Sequence, residues 1–165
     1  MTSLHVPAAP ILLPDDPFHR RLHHVTPLGL DAETAQTSGM RRFAAISGAT
    51  VHARGLWMGE THVAPSTASA NHHHGESETA IFVVSGHPEF VFLDLEGEVP
   101  TEVRVHTSPG DYVFVPPHVP HREENPDPDD VAIVVIARTT QEAIVVNLDS
   151  LRWSGPVLTS GQVSR

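Results

Sequence analysis

Ten short runs of β-forming residues, separated by turns, are the feature that most constrains the fold of this chain. The runs are rich in Val, Ile, Phe and Thr, and Gly, Pro, Asn or Asp bound them. The 15 prolines and 11 glycines among 165 residues suit strands and turns better than helices. The pattern predicts an all-β sandwich or barrel. The expected strands are 41–47, 56–63, 68–74, 79–85, 89–95, 102–107, 111–115, 122–125, 131–137 and 143–147.

The distribution of these runs predicts one domain with short appendages. Residues 1–40 have little periodicity and several prolines, so we expect an N-terminal arm that packs on the domain or on a partner subunit, or else a loosely ordered tail. Residues 41–150 should form the β-barrel, and residues 151–165 a C-terminal tail. The absence of an internal repeat favours a single barrel over a duplicated one.

Charge and composition exclude several classes of function. The formal net charge is -10, so a phosphate backbone would be repelled and nucleic acid is not expected as a partner. The chain has no lysine for Schiff-base chemistry and no cysteine for a thiolate nucleophile or metal ligand. No apolar run approaches the length of a membrane span, and no signal peptide is evident, which predicts a cytoplasmic protein. A metal ion would therefore be held by imidazole and carboxylate groups.

Two separated stretches supply such groups. His72 and His74 are two residues apart, so on a strand both side chains face the same way while His73 faces the other. His121 follows a Pro-rich turn that could place its ring opposite the first pair. Glu78 could add a carboxylate oxygen. Alone, the triple histidine is more typical of an exposed loop, and the second stretch is what favours a metal site.

These stretches resemble the two motifs of the cupin superfamily. The second motif, G(x)5PxG(x)2H(x)3N, is matched by Gly110, Pro116, His121 and Asn125, with His118 in place of the usual glycine. The first motif, G(x)5HxH(x)3,4E(x)6G, is matched in part, and its matching residues are His72, His74, Glu78 and Gly86. The resemblance spans roughly residues 41–150. It implies a double-stranded β-helix, or jelly roll, that is usually dimeric or larger.

The glutamate of the first motif is one residue off the common spacing. Thr79 occupies the position that the four-plus-six spacing gives to the glutamate. If a strand starts strictly at Thr79, that residue faces the metal and Glu78 does not, whereas a bulge or a later start would let Glu78 coordinate. Because threonine is a poor ligand for a divalent ion, Glu78 is the expected ligand. A three-histidine site with Glu78 behind it is the alternative.

Six further residues are candidates for lining a substrate pocket: Arg54, Trp57, Phe92, Tyr112, His118 and Arg122. Trp57 and Phe92 are more often plain core residues. An inward Arg54 or Arg122 would indicate a substrate that carries a carboxylate. The acidic stretch from Glu123 to Asp130 reads as a solvated turn, and Asn125 is expected to fix that turn through backbone hydrogen bonds.

The leading functional hypothesis is a metal-dependent enzyme that acts on a small organic molecule in the barrel. One divalent ion, Zn, Fe, Mn, Ni or Cu, would keep an open coordination position for substrate, water or O2. The cupin resemblance implies oxygenase, isomerase, lyase or cyclase chemistry, and the fold alone does not select among them. The alternative is a non-catalytic module that binds or senses a small molecule. A homodimer without membrane or nucleic-acid partners is expected in both cases.

Overall fold

Eleven strands in two antiparallel sheets make up most of the protein, as seen in a computed structural model that describes residues 21–141 and 144–152. A 3-10 helix, Pro27–Gly29, and one short α-helix, α1 (Gly48–Val51), are the helices of this part. The strands are β1 (Met40–Ile46), β2 (Trp57–Val63), β3 (Thr67–Ala68), β4 (His72–His73), β5 (Thr79–Ser85), β6 (Glu89–Asp94), β7 (Thr101–His106), β8 (Tyr112–Val115), β9 (His121–Asn125), β10 (Ala132–Arg138) and β11 (Val146–Asn147).

The strand order is that of a jelly roll, in which most neighbouring strands of a sheet are distant in sequence. One sheet has the order β1-β2-β10-β5-β8, and the other has the order β11-β4-β9-β6-β7 with β3 paired to β9. The all-β prediction is confirmed. The single strand expected at residues 68–74 is instead two short strands, β3 and β4, that both pair with β9.

The hydrophobic core lies between the inner faces of the two sheets. Along β2 and β10 every second residue is buried, which is the period expected of a strand with one face on a core. The main cluster is formed by Ala44, Trp57, Ile81, Val83, Phe90, Val115, Val134 and Ile136. A smaller cluster, Met40, Val63 and Ala132, closes the end of the barrel where β9 finishes.

Two motif residues hold turns at that end. Gly86 has a φ of +78°, and a Cβ there would lie 2.8 Å from the Cα of Ala132, so a side chain is excluded by both conformation and space. Asn125 is buried, and its Nδ2 donates to the carbonyls of Val63, Ala64 and Asp130 at 3.1, 3.2 and 2.8 Å. The expected structural role of Asn125 is therefore confirmed.

Part of the expected N-terminal arm contacts the barrel. Asp31 forms a bridge with Ala44, and Thr37 forms one with Met40. The first 20 residues of the arm and the tail after Arg152 lie outside the described residues. Among those described, no helix has the length and apolar character needed to cross a membrane.

Candidate metal centre

Three buried imidazoles meet between the two sheets. His72 on β4 and His121 on β9 are direct partners in the strand register, and His74 follows β4 by one residue. The ring centroids of His72 and His121 are 4.4 Å apart, and that of His74 lies 5.1 Å from the first and 4.7 Å from the second. The i and i+2 spacing of His72 and His74 thus places both rings on the inner side, as strand alternation predicts.

The outer ring nitrogens are all held by the chain. The Nδ1 atoms of His72 and His121 lie 2.9 Å from the carbonyls of Ala70 and Val119. A carbonyl can only accept, so each Nδ1 carries the proton and each Nε2 is left with a lone pair. The Nδ1 of His74 lies 2.8 Å from Oγ1 of Thr79. This is the arrangement by which metal-binding histidines are usually oriented.

The inner nitrogens are those that a cation would satisfy. Nε2 of His72 and Nε2 of His74 are 3.2 Å apart, and Nε2 of His121 is buried without a hydrogen-bond partner in the part of the chain described. Burial lowers the pKa of His74 and of His121, so both imidazoles are neutral at pH 7. Lone pairs that converge in this way repel one another unless a proton or a metal ion lies between them, so the residues fit a divalent ion.

The carboxylate of the cluster is Glu123. Its side chain is buried, and Oε1 lies 4.0 Å from Nε2 of His121. One ligand atom from each of His72, His74, His121 and Glu123 can be chosen so that all lie within 4.8 Å of one another. The acidic run that reads as a solvated turn in fact begins as strand β9, and Glu123 stands two residues after His121 on the same inner face.

Glu78 does not join the cluster. Strand β5 begins at Thr79, whose side chain is buried against His74, and the alternation of the strand leaves Glu78 exposed. The backbone N–H of Glu78 donates to Oγ1 of Thr139 at 3.1 Å. The expectation that Glu78 faces the metal is therefore corrected. A bulge would have been needed to turn Glu78 inward, and none occurs where β5 starts.

His118 stands where the second motif normally has a glycine, and its backbone explains that preference. Its φ of 62° is left-handed, a conformation that glycine adopts without cost and other residues do not. Its N–H donates to the carbonyl of Gly75 at 2.8 Å, and its Nε2 lies 3.0 Å from Oε1 of Glu76. The ring is 5.5 Å from that of His73, on the side of β4 away from the candidate centre.

The predicted pocket residues are scattered over the barrel. Phe92 is the register partner of His121 and lines a cavity beside it, whereas Trp57 belongs to the core. Arg54 is exposed, and Tyr112 is 80% exposed on the outer face of β8. Arg122 lies on the outer face of β9, paired with Glu102 and Glu124. Neither arginine is inward, so neither supports the carboxylate-binding role considered for it.

The cavity beside His121 has a volume of about 480 Å³ and mostly apolar walls. It runs from His121 along β6 towards β7 and β8. Its inner wall includes Phe90, Phe92, Val105, Val113, Val115 and Val119. Its size is within the range of pockets that bind small organic molecules. A second cavity of about 320 Å³ reaches the other side of the cluster, at His72, and is lined by more polar residues that include Arg42.

Two arginines that the sequence did not single out lie on the inner faces. Arg138, at the end of β10, is 2% exposed, and its guanidinium lies 5.7 Å from the centre of the Trp57 ring. Arg42 on β1 is also buried, and its Nη1 donates to Oγ1 of Thr37 at 2.8 Å. The signal in the sequence is strand alternation: Arg138 follows Val134 and Ile136 at two-residue intervals. Because residues 133–136 are all apolar, the sequence does not show which side of β10 faces the core.

Residues 59–137 match the family model of the cupin domain. No curated protein is significantly similar in sequence. Among solved structures, Bacillus subtilis oxalate decarboxylase, which has Mn(II) centres, matches with a TM-score of 0.59 at 18% identity, over 70% of this chain and 30% of that one. Oxalate oxidase in complex with glycolate matches with a TM-score of 0.57 at 16% identity, over 68% of this chain and 57% of the other.

A third structure is closer to this chain in size. It is a conserved protein with a double-stranded β-helix domain from Klebsiella pneumoniae, with a TM-score of 0.53 at 18% identity, over 71% of this chain and 91% of that one. This chain spans only about a third of the length of the oxalate decarboxylases that it matches. At such identities the likeness concerns the fold.

Proposed function

Because this chain is a member of the cupin superfamily, we propose that it is a metal-dependent enzyme acting on a small organic molecule bound in the barrel. One observation carries the proposal. Three oriented imidazoles and one buried carboxylate converge at the end of an apolar cavity large enough for a substrate. A closed structural site would have no such cavity beside it.

The residues proposed to hold the ion are His72, His74, His121 and Glu123. The first three would bind the ion through Nε2, and Glu123 would supply one carboxylate charge, so a bound divalent ion would keep a net charge of about +1. When bound, the ion supplies Lewis-acid or redox chemistry to an oxygen atom of the substrate or of O2. The carbonyls of Ala70 and Val119 fix the tautomers of His72 and His121, so the site is preorganised.

The cavity walls do two things for such a reaction. Phe90, Phe92 and Val115 surround the His121 side of the cluster with apolar groups, which lowers the local polarity and strengthens electrostatic interactions there. They also offer apolar surface to the body of a substrate. Mn(II) is the first metal to test, because oxalate decarboxylase of the same fold has Mn(II) centres. Zn, Fe, Ni and Cu also suit these ligands.

Metal analysis and turnover test the proposal together. Full-length protein is loaded separately with each of the five metals, and its metal content is measured after dialysis. We expect one ion per chain, and His121→Ala should lose it while His106→Ala, on the outer face of β7, keeps it. Loaded protein is then incubated with small organic acids, phenols and enols, and substrate loss and O2 uptake are followed. Equal metal content in both variants would refute the site.

The second candidate function is a non-catalytic binding module, and the same cavity supports it. A protein that takes up one metal ion and binds small molecules, but converts none of them and consumes no O2, would favour this reading. The proposed homodimer is tested separately by light scattering, where a mass near 17.9 kDa, that of one chain, would refute it.

A further inference from the structure

Arg42, on the inner face of β1, is a buried cation whose charge no anion of the described residues matches. The residue is 5% exposed. Its Nη1 donates to the carbonyl of Ala35 at 3.3 Å and to Oγ1 of Thr37 at 2.8 Å, and both of these acceptors are neutral. No carboxylate oxygen of the described residues lies within 4.0 Å of the guanidinium. Because arginine stays protonated in proteins, its charge is left without a counter-charge there.

The other nitrogens of the guanidinium have N–H groups to spare. Nε is buried without a hydrogen-bond partner in the part of the chain described. Nη2 also donates to no described acceptor, but unlike Nε it is not enclosed by the protein. An unpaired donor in a buried place is costly, so an acceptor that reached Nη2 would be favoured.

The guanidinium borders the second cavity, the one of about 320 Å³ that reaches His72. Arg42 lines this cavity, and so do Ala35 and Thr37, the two residues that contact Nη1. The charged end of the side chain therefore lies at the cavity wall. Burial is the main cause of the lowered pKa of His74, and the charge of Arg42 adds to that lowering, so the same charge reaches the histidine cluster.

The other walls of this cavity offer hydrogen-bond donors and no carboxylate. Asn147 pairs with His72 in the register of β11 and β4, so the two side chains lie on the same side of the sheet. The Thr37 hydroxyl accepts from Arg42 and keeps its own proton free to donate. Asp and Glu are missing from the described lining, so an anion would meet donors here without a repelling charge.

We propose that the second cavity binds a small organic acid, whose carboxylate accepts from Nη2 of Arg42 and whose polar remainder lies between Thr37 and Asn147. The inference goes beyond the proposed function, because it adds a ligand site on the side of the histidine cluster away from the apolar cavity. The volume is at the lower end of those of ligand pockets, so an acid of a few heavy atoms fits. Arg42 selects the acid by charge.

The test compares glycolate with glycolamide, which has nearly the same shape and no charge. Both are titrated into metal-free full-length protein, and the chemical shifts of backbone amides are followed by NMR. We expect glycolate to bind about tenfold or more tightly than glycolamide, because only the acid gives the guanidinium a charged acceptor. Arg42→Gln should remove that preference, and Arg42→Lys should restore part of it. Arg41→Gln changes the exposed neighbour on the outer face of β1 and should leave the preference intact.

The position of the shifted amides is the second measurement. Glycolate should shift the amides of residues 37, 42, 72 and 147. Equal binding of the two probes by the wild type, an unchanged preference in Arg42→Gln, or shifts confined to residues 90–95 beside the other cavity would each overturn the proposal. If Arg42→Gln does not fold, the wild-type preference and the shifted amides decide together. Since the protein is free of metal, a failure of the proposed metal function would leave this result standing.

Discussion

The two faces of strand β9 carry the same kinds of side chain in opposite surroundings. On the outer face Arg122 is bonded to Glu124 and Glu102, so each charge has a partner and water is close by. On the inner face His121 and Glu123 are buried, and Nε2 of His121 has no hydrogen-bond partner among the described residues. Paired charges on a surface are compensated already, whereas the converging, unpaired groups inside the barrel are the reason why we propose a metal site there.

The outer network is extensive but ordinary. Arg104 on β7 donates to Glu89 on β6 and to Glu124 on β9, and His106 also contacts Glu89. Hydrogen bonds to Glu124 and Glu89 raise the pKa of Arg104. Similar exposed pairs contribute about 0–1 kcal/mol each. The network stabilises the register of the sheet that holds the candidate centre.

The largest expected effect is on the affinity for a divalent ion, and it distinguishes Glu123 from its neighbour Glu124. Glu123→Gln should weaken binding of a divalent ion about 10- to 100-fold, because it removes the carboxylate of the cluster. Glu124→Gln, one residue away on the outer face, should leave the affinity unchanged. Competition with a chelator, read by metal analysis, measures both. Equal affinities in the two variants would refute the hypothesis that only the inner face of β9 contributes a carboxylate to the metal site. Glu78→Gln should behave like Glu124→Gln.

The second effect concerns pH and the metal-free protein. His74 and His121 have lowered pKa values in the fold and regain ordinary values near 6.5 on unfolding, so the unfolded state binds more protons in acid. The free energy of unfolding should therefore fall as pH drops below 6.5. Urea unfolding at several pH values measures the slope.

Replacement of one histidine sharpens that result. His121→Asn should flatten the slope below pH 6.5, whereas His106→Asn, on the outer face, should not. A slope that is the same in all three proteins would show that the inner histidines are not buried in their neutral form. In the metal-loaded protein, protons compete with the ion for the imidazole nitrogens. Because the pKa values of His74 and His121 are lowered, we expect the ion to be retained below pH 6.

The third effect concerns the left-handed backbone at His118. His118→Val should destabilise the fold by about 1–2 kcal/mol, because a β-branched residue tolerates a positive φ poorly. His118→Gly relieves the strain but loses the contact with Glu76, so its effect should stay within about 1 kcal/mol. Thermal unfolding of the two variants checks this. A valine variant as stable as wild type would refute the strained backbone.

The smallest effect belongs to the outer network. Glu124→Gln keeps the shape of the side chain and weakens its bonds to Arg104 and Arg122. The loss should be below about 1 kcal/mol and should shrink at high salt. Urea unfolding at low and high ionic strength measures it. A larger loss that is insensitive to salt would mean that the outer face depends on more than surface ion pairs.

Strand alternation and motif spacing correctly predict the fold, and they correctly place the rings of the three histidines together inside the barrel. His72 and His74 share a face because they are two residues apart, and Asn125 holds its turn as its motif implies. The motif spacing predicts the wrong direction for the Glu78 side chain, because that direction depends on whether β5 begins at residue 78 or 79, which the local sequence does not determine. Glu123 was missed because an acidic run before prolines resembles a solvated turn.

The arginines illustrate another limit of the sequence. Arg54 and Arg122 lie near aromatic or motif residues and were the natural candidates, yet both face outwards. Arg138 ends an apolar run, where hydrophobic pattern gives no reason to expect a buried charge. Its register partners, Trp57 and Thr79, are distant in sequence, and only the assembled sheets bring them beside it.

Asn125 and the histidines of the same motifs serve different parts of the structure. The amide of Asn125 ties β9 to the end of β2 and to the loop before β10, far from the ligand atoms of His121. A variant in which His72, His74 and His121 are replaced would lose the proposed metal ligands, yet it would still need the amide of Asn125 to tie β9 to β2 and to the loop before β10. Closure of this end of the barrel therefore depends on Asn125, whereas the proposed metal binding depends on the histidines.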